Sequence, residues 1–311
     1  MERVCVVGAG VIGSLYAAHL ARVADVSVLT RREGHARALN EEGLRVSGKS
    51  DFVASVNATA DADALPDFEL GILATKATEL EAAAARLEGR FPAATLMTVQ
   101  NGLGAEEIVR RFGDWSLVSA VTFMSGTRHS DAHVEYVLDT ETWLGPYETT
   151  PPETAEAAAD LLFRSGLKAL ALPDIRPAQW SKLIFNATVN GVAALTGLPH
   201  DAHFAERTEP WHLGHLVHEL VEEGRRVARA AEVTLRDDPW EMNVLATRHG
   251  SAHYPSMLED VEAHRPTELE LINGSLVRAA RRAGVQAPLH EAVYALVHAK
   301  QSSYLPVAVG A

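Results

Sequence analysis

Through residues 1–172, short runs of β-branched and other apolar side chains alternate with longer stretches rich in Ala, Leu and Glu. Val4-Cys5-Val6-Val7 has no polar position, the mark of a strand covered on both faces. It leads into Gly8-Ala9-Gly10-Val11-Ile12-Gly13 and a helical pattern to about Val23. Val26 to Leu29 predicts a second strand, Gly71 to Ala74 another, and Glu79 to about Leu87 a helix. Thr95 to Val99 and Leu117 to Thr122 add strands, and Val134 to Leu144 reads as later strands, antiparallel at a sheet edge. A helix from Glu153 to about Arg164 and a strand from Leu167 to Leu172 end the series. Strands alternating with helices build a mostly parallel sheet covered on both faces.

Pro173 and Pro177 mark a change of pattern. Beyond them the periodicity is helical throughout: Gln179 to Leu195, Pro210 to Ala231, Pro239 to about His249, Pro255 to Ala263, Pro266 to Ala283 and Pro288 to Lys300. Prolines recur near the helix starts, where the missing N–H costs no hydrogen bond. No internal repeat or low-complexity tract interrupts the chain, and residues 301–311 read as a loose tail.

Composition narrows the setting. A chain of 311 residues is long enough for two domains, each with a core. The single cysteine, Cys5, reads as a small strand residue and cannot form an internal disulfide, which fits a reducing compartment. The N-terminus opens on a strand and lacks signal-peptide features, and no apolar stretch approaches the roughly 20 residues a bilayer span needs. A cytoplasmic, non-membrane protein is expected. The net charge of -13 argues against general affinity for nucleic acid or anionic membranes, while a local basic pocket could still take an anionic substrate. With 23 arginines against five lysines, each lysine draws attention.

Gly8, Gly10 and Gly13 form G-x-G-x-x-G between a strand and a helix. The first glycine permits the tight turn, the second lets backbone approach a pyrophosphate, and the third lets helix and strand pack closely. The helix N-terminus adds unpaired N–H groups and a positive dipole end. Residues 1–173 are therefore expected to be a dinucleotide-binding Rossmann domain, followed by an all-helical domain at 174–300. NAD-type sites carry an acid at the end of the second strand; here Leu29-Thr30-Arg31-Arg32 has guanidiniums, which suit a 2'-phosphate. The plainer alternative is a solvated basic turn. Thr75-Lys76 and Gln100-Asn101-Gly102 also follow strands, where cofactor and substrate bind, although each reads equally as an ordinary loop.

The segment Trp180-Ser181-Lys182-Leu183-Ile184-Phe185-Asn186-Ala187-Thr188-Val189-Asn190 holds the main chemistry. Lys182, Asn186 and Asn190 are four apart and share one helix face amid apolar residues. Such a polar stripe fits a buried helix lining a polar site, or simply the wet face of an amphipathic helix. Ser256 and Glu268 fall near expected helix starts, where capping and first-turn placement explain them better than catalysis does. His212, His215 and His218 are spaced by three, a weak pattern that favours surface or packing roles over a metal site.

Taken together, these segments resemble the ketopantoate reductase (2-dehydropantoate 2-reductase) family over nearly the whole chain. The resemblance rests on Gly8 to Gly13, Thr75-Lys76-Ala77, Gln100-Asn101-Gly102, Trp180-Ser181-Lys182 with Asn186 and Asn190, Ser256 to Asp260, Thr267-Glu268 and Ile272-Asn273-Gly274, in family order. It implies a helical domain like that of 6-phosphogluconate dehydrogenase, NADP(H) as cofactor, and an active site in the interdomain cleft. It implies Lys182 as general acid and Glu268 as the partner of Lys182 or of the product hydroxyl. Asn101 and Ser256 are implied to contact the substrate's carboxylate or carbonyl, and Asn186 and Asn190 to donate hydrogen bonds to it. Gly8, Ala9, Gly10, Val11, Ile12, Gly13, Arg31 and Lys76, with Asn101 and Glu268, would face the cofactor.

The sequence departs from the family pattern at His200, at His253 and across Phe123 to Gly126. Those changes would reshape the substrate end of the pocket. They leave two further readings open: reduction of another branched or bulkier 2-oxo acid, and a non-catalytic NADPH-binding regulator. A homodimer is also left open.

Overall fold

The computed structural model describes residues 1–248 and 254–305; His253 and the chain from residue 306 lie outside them. The chain forms two compact units. One comprises Met1–Gln100 and Ala105–Ile175; the other comprises Asn101–Gly104 and the chain from Arg176 onward.

The first unit carries strands β1 (Arg3–Val7), β2 (Asp25–Leu29), β3 (Leu44–Gly48), β4 (Phe52–Ala54), β5 (Asn57–Thr59), β6 (Leu70–Leu73), β7 (Thr95–Thr98), β8 (Ser116–Thr122), β9 (Ser125–Ser130), β10 (His133–Leu138), β11 (Thr142–Pro146) and β12 (Ala169–Ala171). Its helices are α1 (Val11–Leu20), α2 (Glu33–Glu42), α3 (Ala77–Ala85), α4 (Ala105–Arg110) and α5 (Pro152–Arg164). The main sheet runs β12-β11-β8-β7-β6-β1-β2-β5. The six strands from β8 to β5 are parallel, and β11 joins β8 antiparallel. Strand order reverses between β1 and β6, the doubly wound arrangement whose ligands lie beyond the carboxyl ends of the strands. The apolar runs are buried because both faces are covered: Val4, Val6, Leu15, Ile72, Met97 and Val118 share one core.

A second sheet, β4-β3-β10-β9, was not expected from the sequence. The apolar stretch from Val134 to Leu144 divides between the two sheets: β10 pairs with β3 and β9, while β11 joins the main sheet.

The second unit is built around α6 (Arg176–Thr196), with α7 (Leu213–Ala230), α8 (Pro239–Arg248), α9 (Ser256–Glu262), α10 (Ser275–Arg282) and α11 (Pro288–Ser302). α6 packs against α7, α8, α9 and α11. It is buried on nearly every side, as a central helix must be. Leu183, Ile184, Val217, Leu220, Leu276 and Val297 join in its core, and burial of each such side chain is worth about 1.5–3 kcal/mol. Pro266 does not open a helix. The chain remains irregular through Glu268, and a π-helical turn at Glu270–Gly274 precedes α10. Lys300 Nζ donates to Ala194 O at 2.7 Å, a cation at the carboxyl end of α6. Among the described residues no helix is long and apolar enough to cross a membrane.

Candidate active site

The glycine turn has the geometry its sequence implies. Gly8 sits at φ +96, its N–H donates to Leu29 O at 2.9 Å, and a Cβ there would fall 2.8 Å from Thr75 Cγ2. A Cβ on Gly13 would fall 1.9 Å from Gly8 O, so the helix can approach the turn this closely only with glycine. A Cβ on Gly10 would meet nothing within 4 Å, which leaves room over the turn for a ligand. Gly10 caps α1, whose first turn carries no acid. The first N–H groups of the helix, on Val11, Ile12 and Gly13, thus face no carboxylate from the helix's own first turn. Thr75 Oγ1 is buried beside this turn without a hydrogen-bond partner among the described residues. An orphaned hydroxyl, an open second glycine and an acid-free helix start together fit the pyrophosphate region of a dinucleotide.

The residues around the turn divide by role. Gln100 Nε2 donates to Leu73 O at 2.7 Å and Thr75 O at 2.9 Å, so this amide ties strand ends together. Lys76 is exposed at the start of α3. Arg31 is exposed, with Nη1 3.2 Å from Glu79 Oε1. Arg32 instead grips both carboxylate oxygens of Asp131, at 2.7 and 2.9 Å, and holds that carboxyl below its usual range. Cys5 is buried, and desolvation pushes its thiol up to about 12, so it is inert as a nucleophile.

The second unit gathers the other candidates. Ser181 Oγ donates to Pro177 O at 2.9 Å and accepts the Asp237 N–H at 3.0 Å, which fixes the turn carrying Lys182. Lys182 is half-buried, and desolvation lowers its amine from 10.5 to about 8 while the Glu268 carboxylate pulls the other way. Asn186 Nδ2 donates to Asn101 Oδ1 at 3.4 Å, and Asn101 Nδ2 donates to Glu268 Oε2 at 3.1 Å. Lys182, Glu268, Asn101 and Asn186 are thus one polar cluster. Asn190 belongs to a neighbouring contact: its Oδ1 accepts the Met257 N–H at 3.4 Å, in the first turn of α9 beside Ser256. The arrangement supplies a desolvated amine, a carboxylate that favours its protonated form, and an amide, Asn101, that orients the carboxylate and is itself held by Asn186.

Backbone fit explains why Asn101 reaches this cluster. Gly102 has φ +94, and a Cβ there would fall 1.7 Å from Leu271 O. The Leu103 N–H donates to that same oxygen at 2.9 Å, docking Asn101–Gly104 on the π-helical turn. Two supporting residues were given no role from sequence. Gln301 Oε1 accepts from both the backbone N–H and the hydroxyl of Thr267, at 2.8 Å each, and so steadies the residue before Glu268. Asn273 Nδ2 donates to Ala187 O at 2.7 Å, tying the π-helical turn to α6. An expected tail hid the first; the quoted Ile272-Asn273-Gly274 segment was the signal for the second.

His200 is buried in the helical core, where its Nε2 pairs with Asn243 Oδ1 at 2.8 Å and its ring meets Phe185 and Phe204 edge-on. Phe123, just past β8, meets Trp143 edge-on with ring centres 6.4 Å apart. Gly126 is needed for close packing, since a Cβ would fall 2.4 Å from Glu135 O and 2.9 Å from Val11 Cγ1. His212 approaches Glu206, while His218 packs on Trp240. Among the described residues no three His, Cys, Asp or Glu side chains are placed to hold a metal.

A doubly wound sheet opened by this glycine turn, in one chain with a helical unit that sets a lysine within electrostatic reach of a carboxylate, defines a two-domain dinucleotide-binding oxidoreductase. Residues 4–149 match the family model described as ketopantoate reductase PanE/ApbA, and residues 174–301 match its C-terminal model. The chain belongs to the ketopantoate reductase family. It is 28% identical over 301 residues to the 2-dehydropantoate 2-reductase of Pyrococcus horikoshii, covering 96% of this chain and 98% of the relative. The structure of 2-dehydropantoate 2-reductase from Methylococcus capsulatus matches with a TM-score of 0.85 and 27% identity, over 99% of this chain and 100% of that one. A D-mandelate dehydrogenase in ternary structure with NADH and anilino(oxo)acetate has the same fold, with a TM-score of 0.88 and 23% identity over 97% of this chain and 99% of that one.

Proposed function

We propose that this protein reduces a 2-oxo acid to the 2-hydroxy acid with NADPH, with Lys182 as proton donor. The observation that carries the reading is the joining of Lys182, Glu268, Asn101 and Asn186 in one cluster. The nicotinamide, when bound, supplies the hydride. The chain's own part begins with an amine near 8, which is largely protonated at neutral pH yet a better acid than an ordinary lysine. As negative charge develops on the carbonyl oxygen, the ammonium stabilises it and then gives up its proton. Glu268 favours the charged amine beforehand, Asn101 donates to that carboxylate, and Asn186 in turn holds Asn101. Asn190, with its Oδ1 engaged by α9, has its Nδ2 to offer a substrate oxygen, alongside the Ser256 hydroxyl. Gly8 to Gly13, Arg31 and Lys76 would hold the cofactor phosphates. The reducing cytoplasm is the setting we assign.

The leading substrate is 2-dehydropantoate, reduced to pantoate for pantothenate synthesis, supported by the names of the relatives. A bulkier, aromatic 2-oxo acid is the second reading. It is favoured by the pairing of Phe123, just past β8, with Trp143 of β11 beside it, and the D-mandelate dehydrogenase fold makes phenylglyoxylate the natural probe. The test follows NADPH absorbance against 2-dehydropantoate, other branched 2-oxo acids and phenylglyoxylate. The highest kcat/KM names the substrate class. Tight NADPH binding with no turnover on any of them would instead favour a non-catalytic NADPH-binding regulator.

A further inference from the structure

The carboxyl end of β2 carries two guanidiniums that the fold treats differently. Arg32 is committed to Asp131 through two hydrogen bonds and stands at the N-cap of α2. The Arg31 side chain is 77% exposed and meets Glu79, from the first turn of α3, at 3.2 Å. The position of α3 is itself fixed at this strand end. Arg86, seven residues beyond Glu79 and so on the same helix face, donates to Thr30 O at 3.1 Å and Ala60 O at 2.6 Å. Those carbonyls directly follow β2 and β5. The clamp keeps the first turn of α3, and with it the Glu79 carboxylate, beside Arg31.

NAD-binding sheets place a carboxylate at the end of the second strand, where it accepts from the ribose 2'-hydroxyl. This chain has no acid there, yet α3 brings one against the Arg31 guanidinium. We propose that Arg31 and Glu79 form a two-way selector for the adenosine ribose. Arg31 takes the 2'-phosphate of NADPH, and Glu79 accepts from the 2'-hydroxyl of NADH. Glu79 also competes with the phosphate for the guanidinium and repels its charge. It is therefore a specificity-determining residue that narrows the preference for NADPH and leaves NADH usable. The inference rests on the reading of Arg31 as the 2'-phosphate contact. Stability does not account for the pair, because exposed ion pairs contribute little to folding.

The test measures dissociation constants of NADPH and NADH by fluorescence titration at low salt, using the full chain, Glu79→Gln and Arg31→Ala. Glu79→Gln should tighten NADPH and weaken NADH, each by roughly 2- to 5-fold, the reach of an exposed charge interaction. Its thermal unfolding midpoint should match the parent's, which separates selection from folding. An unchanged NADPH-to-NADH ratio in folded Glu79→Gln overturns the selector. If Arg31→Ala then loses NADPH selectively, the selector alone has failed and the phosphate assignment stands. If Arg31→Ala weakens both cofactors alike, the phosphate assignment fails and takes the selector with it.

Discussion

At the scale of single residues, the strength of an acid is set by two opposed influences. Burial lowers the Lys182 amine to about 8, and the Glu268 carboxylate raises it. On the proposed mechanism reduction uses the ammonium, so its rate should fall as pH rises through about 8. Glu268→Gln removes the raising influence, and the alkaline fall in kcat/KM should begin at lower pH. A pH-rate profile of that variant with an unmoved alkaline limb would uncouple the two residues. The same burial bears on stability. The folded pKa lies below the unfolded 10.5, so the unfolded chain binds more protons between about 8 and 10.5, and this group's contribution to stability rises with pH across that window. The Lys182, Asn186 and Asn190 stripe was legible because four-residue spacing is local. The Asn101–Glu268 bond was not, because it joins residues 167 positions apart and no local pattern encodes it.

At the scale of elements, the placement of Asn101 depends on a backbone fit between segments distant in sequence. Gly102→Ala puts a Cβ into Leu271 O, 1.7 Å away, at a φ of +94 that alanine resists. The variant should lose at least tenfold in turnover as Asn101 moves from Glu268, and about 1–3 kcal/mol of stability. Steady-state kinetics and a denaturant melt check both, and wild-type turnover would show that the loop's position is immaterial. Local signals also explain which elements were legible. The apolar runs of the main sheet announced themselves, whereas β9, Ser125–Ser130, is polar and exposed and pairs with β10 in a small sheet. β3 pairs in parallel with β10 far along the chain, so its partner could not be read locally. Pro266 looked like a helix start, but the adjoining Thr267 is held by Gln301 in a loop instead.

At the scale of the whole molecule, buried neutral histidines give stability a pH dependence that the net charge of -13 does not reveal. Desolvation lowers His290 to about 4 and also lowers His19 and His35. His290 Nε2 lies 2.9 Å from Leu220 O, while its Nδ1 is buried without a partner among the described residues. The unfolded chain therefore binds more protons than the folded one below about 6.5, and stability falls as pH drops from there toward 4. Thermal unfolding followed by circular dichroism should show a lower midpoint at pH 5 than at pH 7. An equal or higher midpoint at pH 5 would contradict this account of the buried imidazoles. The two-unit organisation was legible in the switch from alternating elements to helices, but the allotment of Asn101–Gly104 to the second unit was not, since that segment lies between strands and helices of the first.

The decisive measurement is the turnover of Lys182→Ala on the best 2-oxo acid, with NADPH affinity measured in parallel. With Lys182 as the proposed general acid, its loss should lower kcat by roughly 100-fold or more, while NADPH binding stays near the parent value. Lys182→Arg should not restore turnover, because a guanidinium is a poor proton donor near neutral pH. Near-normal kcat in folded Lys182→Ala would contradict the account at its centre.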